Sequence, residues 1–552
     1  MPVINFSYKD LVGLMGKDVS QEEILKQIPL IGSDIGDNVA GTDAMSVEFF
    51  PNRPDMYSVE GIARGMRAFL GIKPGLQTYT VGDSDITAVV DPSVREVRPC
   101  FLCAAVFNVR INDEALRSMM ELQEKLHITV GRKRSKVAIG IHDLDKVTPP
   151  FTYHAVDPHS IRFVPLAKTE EMDLAEILEK HEKGKAYAHL LDGYTKYPII
   201  TDATNRVLSF PPIINGALTA VTTQTANLFI DVTGFDWKAV ETCLNVVVTS
   251  LAERGGQICR VNMQGIDISD PPRLDPVRRT VSLSDCNRFI GIPLAGEQAV
   301  TALRRMGMDG SCEGDKLTAV IPAYRADIMH DVDIYEDVSI GYGFEKYGRR
   351  DRPLDQTFGA LLPETAFGEN VKDILVGLGY TELTTLTLSN QREEFEISGL
   401  PAVETVNVTN PITEDHTCLR AYLMPSLMRI LRHNKHRDLP QQIFEVGFVV
   451  RDQKTVLHLC ALKAASKTPF TEAKSFTESV LRELGTDYAF QSCNYPTFIP
   501  GRGALITVGG QQLGFFGEVA PKVITDFEMT HPILMLELDL SSLIAARTGK
   551  LI

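Results

Sequence analysis

The sequence is short of positive charge: 56 lysines and arginines stand against 71 aspartates and glutamates, a formal net charge of −15 over 552 residues. That balance excludes a protein that coats nucleic acid by charge alone, because such binding is carried by cations that neutralise phosphates. It leaves room for local basic surfaces. Cysteine is sparse as well. Nine are scattered from Cys100 to Cys493, an odd number in a long chain, which excludes the dense, even framework of a small secreted domain. The single Cys-x-x-Cys, Cys100 and Cys103, has no second pair and lies in the apolar run RPCFLCAAVF. It reads as buried strand rather than as a metal or redox motif. The start, MPVINFSYKDL, lacks the basic and apolar regions of a secretory signal. Residues 207–230 carry no charge, but Pro211, Pro212, Asn215 and Gln224 make them a poor membrane span. A soluble, cytoplasmic protein without a membrane partner is the expectation.

Several catalytic signatures are also missing. There is no Walker loop and no His-Glu-x-x-His, and His127, His142 and His154 lack zinc spacing. Gly341-Tyr342-Gly343 lacks the third glycine of a dinucleotide turn. Ser135, His142 and Asp143 are near one another in sequence, yet a triad needs spatial convergence that spacing does not show.

What is present is enough apolar material, 44% of residues, for several cores, and a length that fits about three to five domains. No internal repeat or low-complexity tract appears. In residues 1–88, the prolines at 51 and 54 break the chain before a helix that begins near Ser58 and places Ile62, Met66, Phe69 and Leu70 on one face. Residues 89–268 alternate short strands with a few helices and read as a compact α/β domain; KVAIGIHDLDKV is a strand with Val137, Ile139 and Ile141 on one face. The proline-rich PPRLDPVRR is a linker. Residues 274–352 read as strand, helix, helix, strand and a long helix from Ala326 to about Ile340, a module of winged-helix size. Residues 357–552 open with a helix carrying Val371, Ile374, Leu375 and Leu378 at i, i+3, i+4 and i+7, closed by Gly379. Strands such as TELTTLTLSN, QQIFEVGFVVR and ILMLELDL follow, so an antiparallel α+β core is expected.

The patch with most chemistry is Arg325 to Asp337. With Asp327 as helix N-cap, Asp333, Glu336 and Asp337 fall within about 100° of one face. Like charges gathered so closely need a counter-ion, and a hard cation such as Mg²⁺ with waters would serve. A solvated acidic face favoured by the helix dipole is the other reading. Basic islands occur at Met424 to Arg437, where Leu427, Ile430 and Leu431 form the buried stripe, at Arg132 to Lys136, and at Lys346 to Arg352.

PNRPDMYSVEGIARGMRAFLGI, KVAIGIHDLDKV, SFPPIIN, IDVTG, IPAYRADIMHDVDIYEDVSIGYGF, NPITEDHTCLR and IFEVGFV, in that order, resemble the β subunits of phenylalanyl-tRNA synthetases of the archaeal/eukaryotic type. The resemblance runs from about residue 45 to 540. It implies a multidomain α+β chain: an N-terminal module, an α/β tRNA-editing domain, a winged-helix-like module, and a class II synthetase-like antiparallel core lacking its active site. ILMLELDL is indeed not followed by the arginine that binds ATP in catalytic class II cores. Aminoacylation would then belong to a separate α subunit in an α₂β₂ tetramer, with no catalytic residue for it here. The family's magnesium ligands fall on Asp327, Asp333, Glu336 and Asp337. The editing domain would bind tRNA(Phe) and hydrolyse mischarged tyrosyl-tRNA(Phe), its pocket lined by Ser209, Asn215, Asp231 and Thr233. A scaffold subunit with an inactive pocket is the alternative.

Overall fold

The run Cys100–Phe107 is apolar at nearly every position because it is a central strand whose two faces meet two different cores. This is seen in the computed structural model, which describes residues 2–36, 42–268, 271–347 and 358–548. The chain forms two units, Met1–Arg352 and Pro353–Ile552.

In the first unit, a five-stranded sheet runs in the order Val81–Gly82, Gln257–Cys259, Cys100–Phe107, Leu228–Gly234, Val137–Asp143. One face buries Leu102, Ala104, Ile139, Ile230 and Val232 against the helix Trp237–Glu253 and its neighbours. The other face turns Phe101, Cys103, Ala105 and Phe229 toward a six-stranded sheet. That second sheet runs Ile214–Asn215, Val207–Phe210, Tyr197–Thr201, Phe151–Val156, Thr87–Val90, Asn262–Gln264. The expected α/β arrangement is therefore corrected: most ladders are antiparallel and two sheets face each other, with parallel pairing confined to short strands at the edges and to Thr87–Val90. Cys100 and Cys103 are three residues apart on one strand. They point to opposite faces, so no metal is held between them.

The N-terminal residues form a three-stranded antiparallel sheet, Val3–Ser7, Ala44–Phe49 and Ser33–Ile35. The expected helix is Val59–Phe69, and Ser58 caps it, its hydroxyl accepting from the Gly61 N–H at 3.2 Å. Val277–Ser282, Lys316–Ile321 and Asp309–Glu313 make a small antiparallel sheet beside the helices Leu283–Ile290, Gly296–Arg305 and Asp331–Tyr342. The strand Asp309–Glu313 was not expected from the sequence. The last helix also starts five residues later than expected, at Asp331, with His330 rather than Asp327 at the N-cap. Arg305 bridges its neighbours, donating to the carbonyls of Phe69 and Gly341 at 3.1 and 2.6 Å.

The second unit is built on a seven-stranded sheet: Thr381–Glu382, Gln441–Arg451, Lys454–Ala464, Ile533–Asp539, Gln511–Val519, Phe498–Val508, Ala489–Ser492. All pairs are antiparallel except the first. The helix Met424–His433 covers one face, and Pro363–Gly377 with Phe470–Glu483 the other. TELTTLTLSN is not one strand; only Thr381–Glu382 and Leu388–Ser389 pair. Threonine raises β propensity but supplies no partner strand.

Gly61 sits where helix Val59–Phe69 crosses the preceding turn, and a Cβ there would lie 1.8 Å from the Asp55 carbonyl oxygen. Gly61→Ala should cost about 1–3 kcal/mol or more, because backbone has to move. Gly13→Ala, whose Cβ meets nothing within 4 Å, should be neutral or stabilising. Urea unfolding midpoints of the two variants check the contrast.

Candidate functional site

Period-two alternation decides what lies between the two large sheets. On Leu228–Gly234 the residues Leu228, Ile230 and Val232 enter the helix-side core, so Phe229, Asp231 and Thr233 point to the inter-sheet space. On the neighbouring strand, Ala138, Gly140 and His142 point the same way, and Asp231 is paired in register with Gly140. At one end of this space is a cavity of about 240 Å³ whose walls include Ser209, Phe210, Asn215, Thr219, Gly140 and Asp231.

Three of the four residues assigned by resemblance thus share one cavity wall. Asp231 is 2% exposed, and its Oδ1 is 2.7 Å from His142 Nε2. Ser209 is equally buried, and among the described residues its Oγ has no hydrogen-bond partner. A buried hydroxyl left open costs free energy, so it marks a place where a polar ligand atom is welcome. The Asn215 side-chain amide donates to the Ile141 carbonyl at 3.5 Å.

Thr233 does not line the cavity. It is fully buried one turn of the pleat further on, where its Oγ1 accepts from Arg98 Nε at 2.9 Å. Arg98 also donates to the carbonyls of Thr233, Arg134 and Ser135. Burial lowers the pKa of its guanidinium to about 10. Two of the carbonyls it holds, those of Arg134 and Ser135, lie at a rare turn: Arg132, Lys133 and Arg134 all have positive φ, 47°, 53° and 67°. Left-handed geometry costs non-glycine residues about 1–2 kcal/mol each, so the turn needs an external prop, and Arg98 supplies it. The turn in its place aims Arg134 at the cavity wall, where Nη1 donates to the Ile213 carbonyl at 2.8 Å and Nη2 to Glu124 at 3.2 Å. The basic island at Arg132 to Lys136 is therefore partly architecture: Arg134 is committed inward while Arg132 and Lys133 are exposed.

His127 closes another side. Ile139 N–H donates to its Nε2 at 2.8 Å, which leaves the proton on Nδ1; among the described residues that atom has no hydrogen-bond partner, with Glu124 Oε2 3.6 Å away. Burial pushes the imidazole down to about 4, so it is a neutral donor at pH 7. His142, Thr219, Gly140, Arg98 and His127 were not singled out as site residues from the sequence. Only alternation along KVAIGIHD hinted at them, since it places Gly140 and His142 on one face. The Ser135, His142, Asp143 set does not assemble: Ser135 donates to the Arg132 carbonyl, Asp143 accepts from Thr225, and His142 bonds Thr219 and Asp231 instead.

The acidic helix has a different arrangement from the one expected. Arg325 forks onto Asp327 at 2.8 and 2.7 Å and reaches Asp337 at 2.6 Å. Asp333 Oδ2 accepts from the N–H groups of Met329 and His330, capping the helix. Glu336 is exposed whereas Asp337 is buried. Arg325 holds the Asp327 carboxyl low despite its burial, while burial pushes Asp337 up. The four carboxylates do not converge on a cation as arranged, and no group of three or more His, Cys, Asp or Glu among the described residues is placed to hold one. The counter-ion of Asp327 and Asp337 is an arginine.

At the island of Met424 to Arg437, Leu427 and Leu431 are buried, Ile430 is half-buried, and Arg429 pairs with Glu393. Most of the island at Lys346 to Arg352 lies outside the described residues.

Thr233→Val removes the oxygen that receives Arg98 Nε and leaves a buried charged donor unpaired, an expected cost of about 1–3 kcal/mol. Urea unfolding should show it, with faster tryptic cleavage at Arg132 or Lys133, and Thr233→Ser should behave as the parent.

Three family models match the chain: the B3/4 domain at residues 110–255, the tRNA synthetase B5 domain at 279–344, and the phenylalanyl tRNA synthetase beta chain CLM domain at 353–540. The phenylalanine–tRNA ligase beta subunit of Methanothrix thermoacetophila is 45% identical over 545 residues, 98% of this chain and 100% of that one. That of Archaeoglobus fulgidus is 44% identical over 546 residues, 98% of each chain. A solved N-terminal fragment of the phenylalanyl-tRNA synthetase beta subunit from Pyrococcus horikoshii is 40% identical and superposes with a TM-score of 0.60, covering 62% of this chain and 100% of that fragment. The cavity lies within the B3/4 match, the arginine-bound acidic helix within the B5 match, and the chain belongs to the archaeal-type family of phenylalanine–tRNA ligase beta subunits.

Proposed function

We propose that this chain, a β subunit and so one that implies an α partner, works in an α₂β₂ tetramer that joins L-phenylalanine to tRNA(Phe) with hydrolysis of ATP. The α subunit carries the aminoacylation site, and this chain binds tRNA and hydrolyses mischarged tyrosyl-tRNA(Phe). The four-part division, 1–88, 89–268, 274–352 and 357–552, with the third part winged-helix-like, belongs to the same reading. Its second and third boundaries fall at residues that the structure does not describe, 269–270 and 348–357.

A class II-like core without an active site is supported by how the second unit fills its own interior. Glu537 accepts from the N–H groups of Leu423 and Met424 at 2.9 and 3.1 Å, and Arg420 pairs with Glu445 at 2.8 Å, all buried. These polar groups are spent on one another rather than offered to a nucleotide. Among the described residues no helix is long and apolar enough to cross a membrane, and we place the work in the cytoplasm.

The observation that carries the editing reading is the pairing, in one cavity, of a carboxylate with an open oxygen and a buried unpaired hydroxyl. Among the described residues Asp231 Oδ2 has no protein hydrogen bond, and Ser209 Oγ has none. Telling tyrosine from phenylalanine depends on a buried group that pairs with one hydroxyl, and hydrolysis needs a water held at the ester. The cavity supplies groups for both. Asp231→Ala is expected to lower hydrolysis of tyrosyl-tRNA(Phe) by the assembled enzyme by about 10²-fold. Undiminished turnover would remove the site, and a wild-type enzyme that leaves the ester intact would favour the inactive scaffold.

Magnesium enters this reading through Asp333 and Glu336, the two members of the expected set that Arg325 does not bind; Asp327 and Asp337 would have to leave the arginine first. Mn²⁺ titration of the assembled enzyme, followed by electron paramagnetic resonance, tests it. Asp333→Asn with Glu336→Gln should remove a bound ion, and binding unaltered in that variant would exclude the helix.

A further inference from the structure

His142 is fully buried and is not part of the cavity wall, yet both of its ring nitrogens bond residues that are. Nε2 lies 2.7 Å from Asp231 Oδ1 and Nδ1 lies 2.8 Å from Thr219 Oγ1. A carboxylate only accepts, so Nε2 carries the proton, and in the neutral ring Nδ1 receives the Thr219 hydroxyl. The alternatives open to that hydroxyl are poorer, the Gly216 and Leu208 carbonyls at 3.4 and 3.5 Å.

The order hydroxyl, imidazole, carboxylate is that of a nucleophilic triad, but its orientation is wrong for one. In a triad the carboxylate hides behind the imidazole and the imidazole meets the substrate. Here the imidazole is hidden, and the residues it bonds, Thr219 and Asp231, line the cavity. The ring is a buckle behind the wall.

Room for it is made by one residue. Gly140 lies opposite Asp231 in the adjacent strand. A Cβ on it would stand 2.1 Å from Asp231 Oδ1 and 2.7 Å from His142 Nε2, within the hydrogen bond itself. Any side chain at 140 is thus incompatible with the pair. Phe229, with its ring centroid 6.3 Å from that of His142, lies beside it on the same face.

We propose that His142, seated by Thr219 and accommodated by Gly140, is a positioning residue of the hydrolytic site. It ties down Oδ1 of Asp231 so that Oδ2 is presented to the water that attacks the aminoacyl ester. The inference rests on the editing reading above. In that reaction water adds to the ester carbonyl and the carbon–oxygen bond to the ribose breaks. The amino acid leaves as its carboxylate with release of a proton, and the ribose hydroxyl is restored. His142 touches none of these atoms and acts through Asp231.

A double-mutant cycle in the assembled α–β enzyme tests this, with kcat and KM for tyrosyl-tRNA(Phe) hydrolysis as readouts. His142→Leu should lower kcat by about 10²-fold, as misplacing a group near the reacting atoms does, at unchanged KM. In the Asp231→Asn background the same substitution should cost nothing further. His142→Gln, which retains an N–H for Asp231, should recover most of the rate, and this guards against a variant that only misfolds. Losses that add in the double variant, or a His142→Leu enzyme as fast as the parent, would overturn the positioning role while leaving the editing reading intact. A wild-type enzyme without hydrolysis would overturn both.

Discussion

A carboxylate taken out of water between two sheets has to be met by donors, and the position of Asp231 makes this the governing constraint of the first unit. Its strand is central in a sheet buried on both sides, so alternation sends every second residue into the helix core and the others into the inter-sheet space. An ionised group there persists only with a partner. His142 provides it, Thr219 holds His142, and Gly140 gives up its side chain so that the bond can exist. The cavity is what remains at the end of the inter-sheet space once these groups have taken their places.

The same logic recurs in two arginine forks. Arg53 binds Asp55, and Arg325 binds Asp327, each two residues on and each through two nitrogens. All four side chains have little exposure, and the spacing Arg-x-Asp is shared by PNRPD and AYRAD. Such pairs are poor sources of net stability, because desolvation offsets most of the attraction, but losing one partner is costly. They hold irregular backbone ahead of the helices Val59–Phe69 and Asp331–Tyr342 in a single geometry. For the acidic helix this changes the electrostatic account: much of the charge that looks like a cation site is already neutralised from within.

Charge elsewhere follows a related division. The net charge of −15 coexists with basic islands whose members have different jobs. Arg134 braces a cavity wall and Arg429 closes an ion pair, whereas Arg132 and Lys133 stay exposed. A basic cluster in sequence is therefore a mixture of struts and open cations. Only the open ones are available to a polyanion.

Helices and strands are legible in the sequence where periodicity is long, as in Val59–Phe69 and Val137–Asp143. The family is legible too, through motifs whose order survives along the chain, and with it came the assignment of Ser209, Asn215 and Asp231, which the structure sets around one cavity. The sequence did not show the strand Asp309–Glu313, the late start of the last B5 helix, or two facing sheets in place of an α/β domain, because each depends on which strand lies alongside which. Tertiary structure alone decided that Thr233 serves Arg98, that Arg325 answers Asp327 and Asp337, and that His142 joins residues 77 and 89 positions away. The reason is physical. Local pattern fixes which face a side chain takes, whereas hydrogen-bond partners across a sheet are set by register, and register is settled only when distant strands pair.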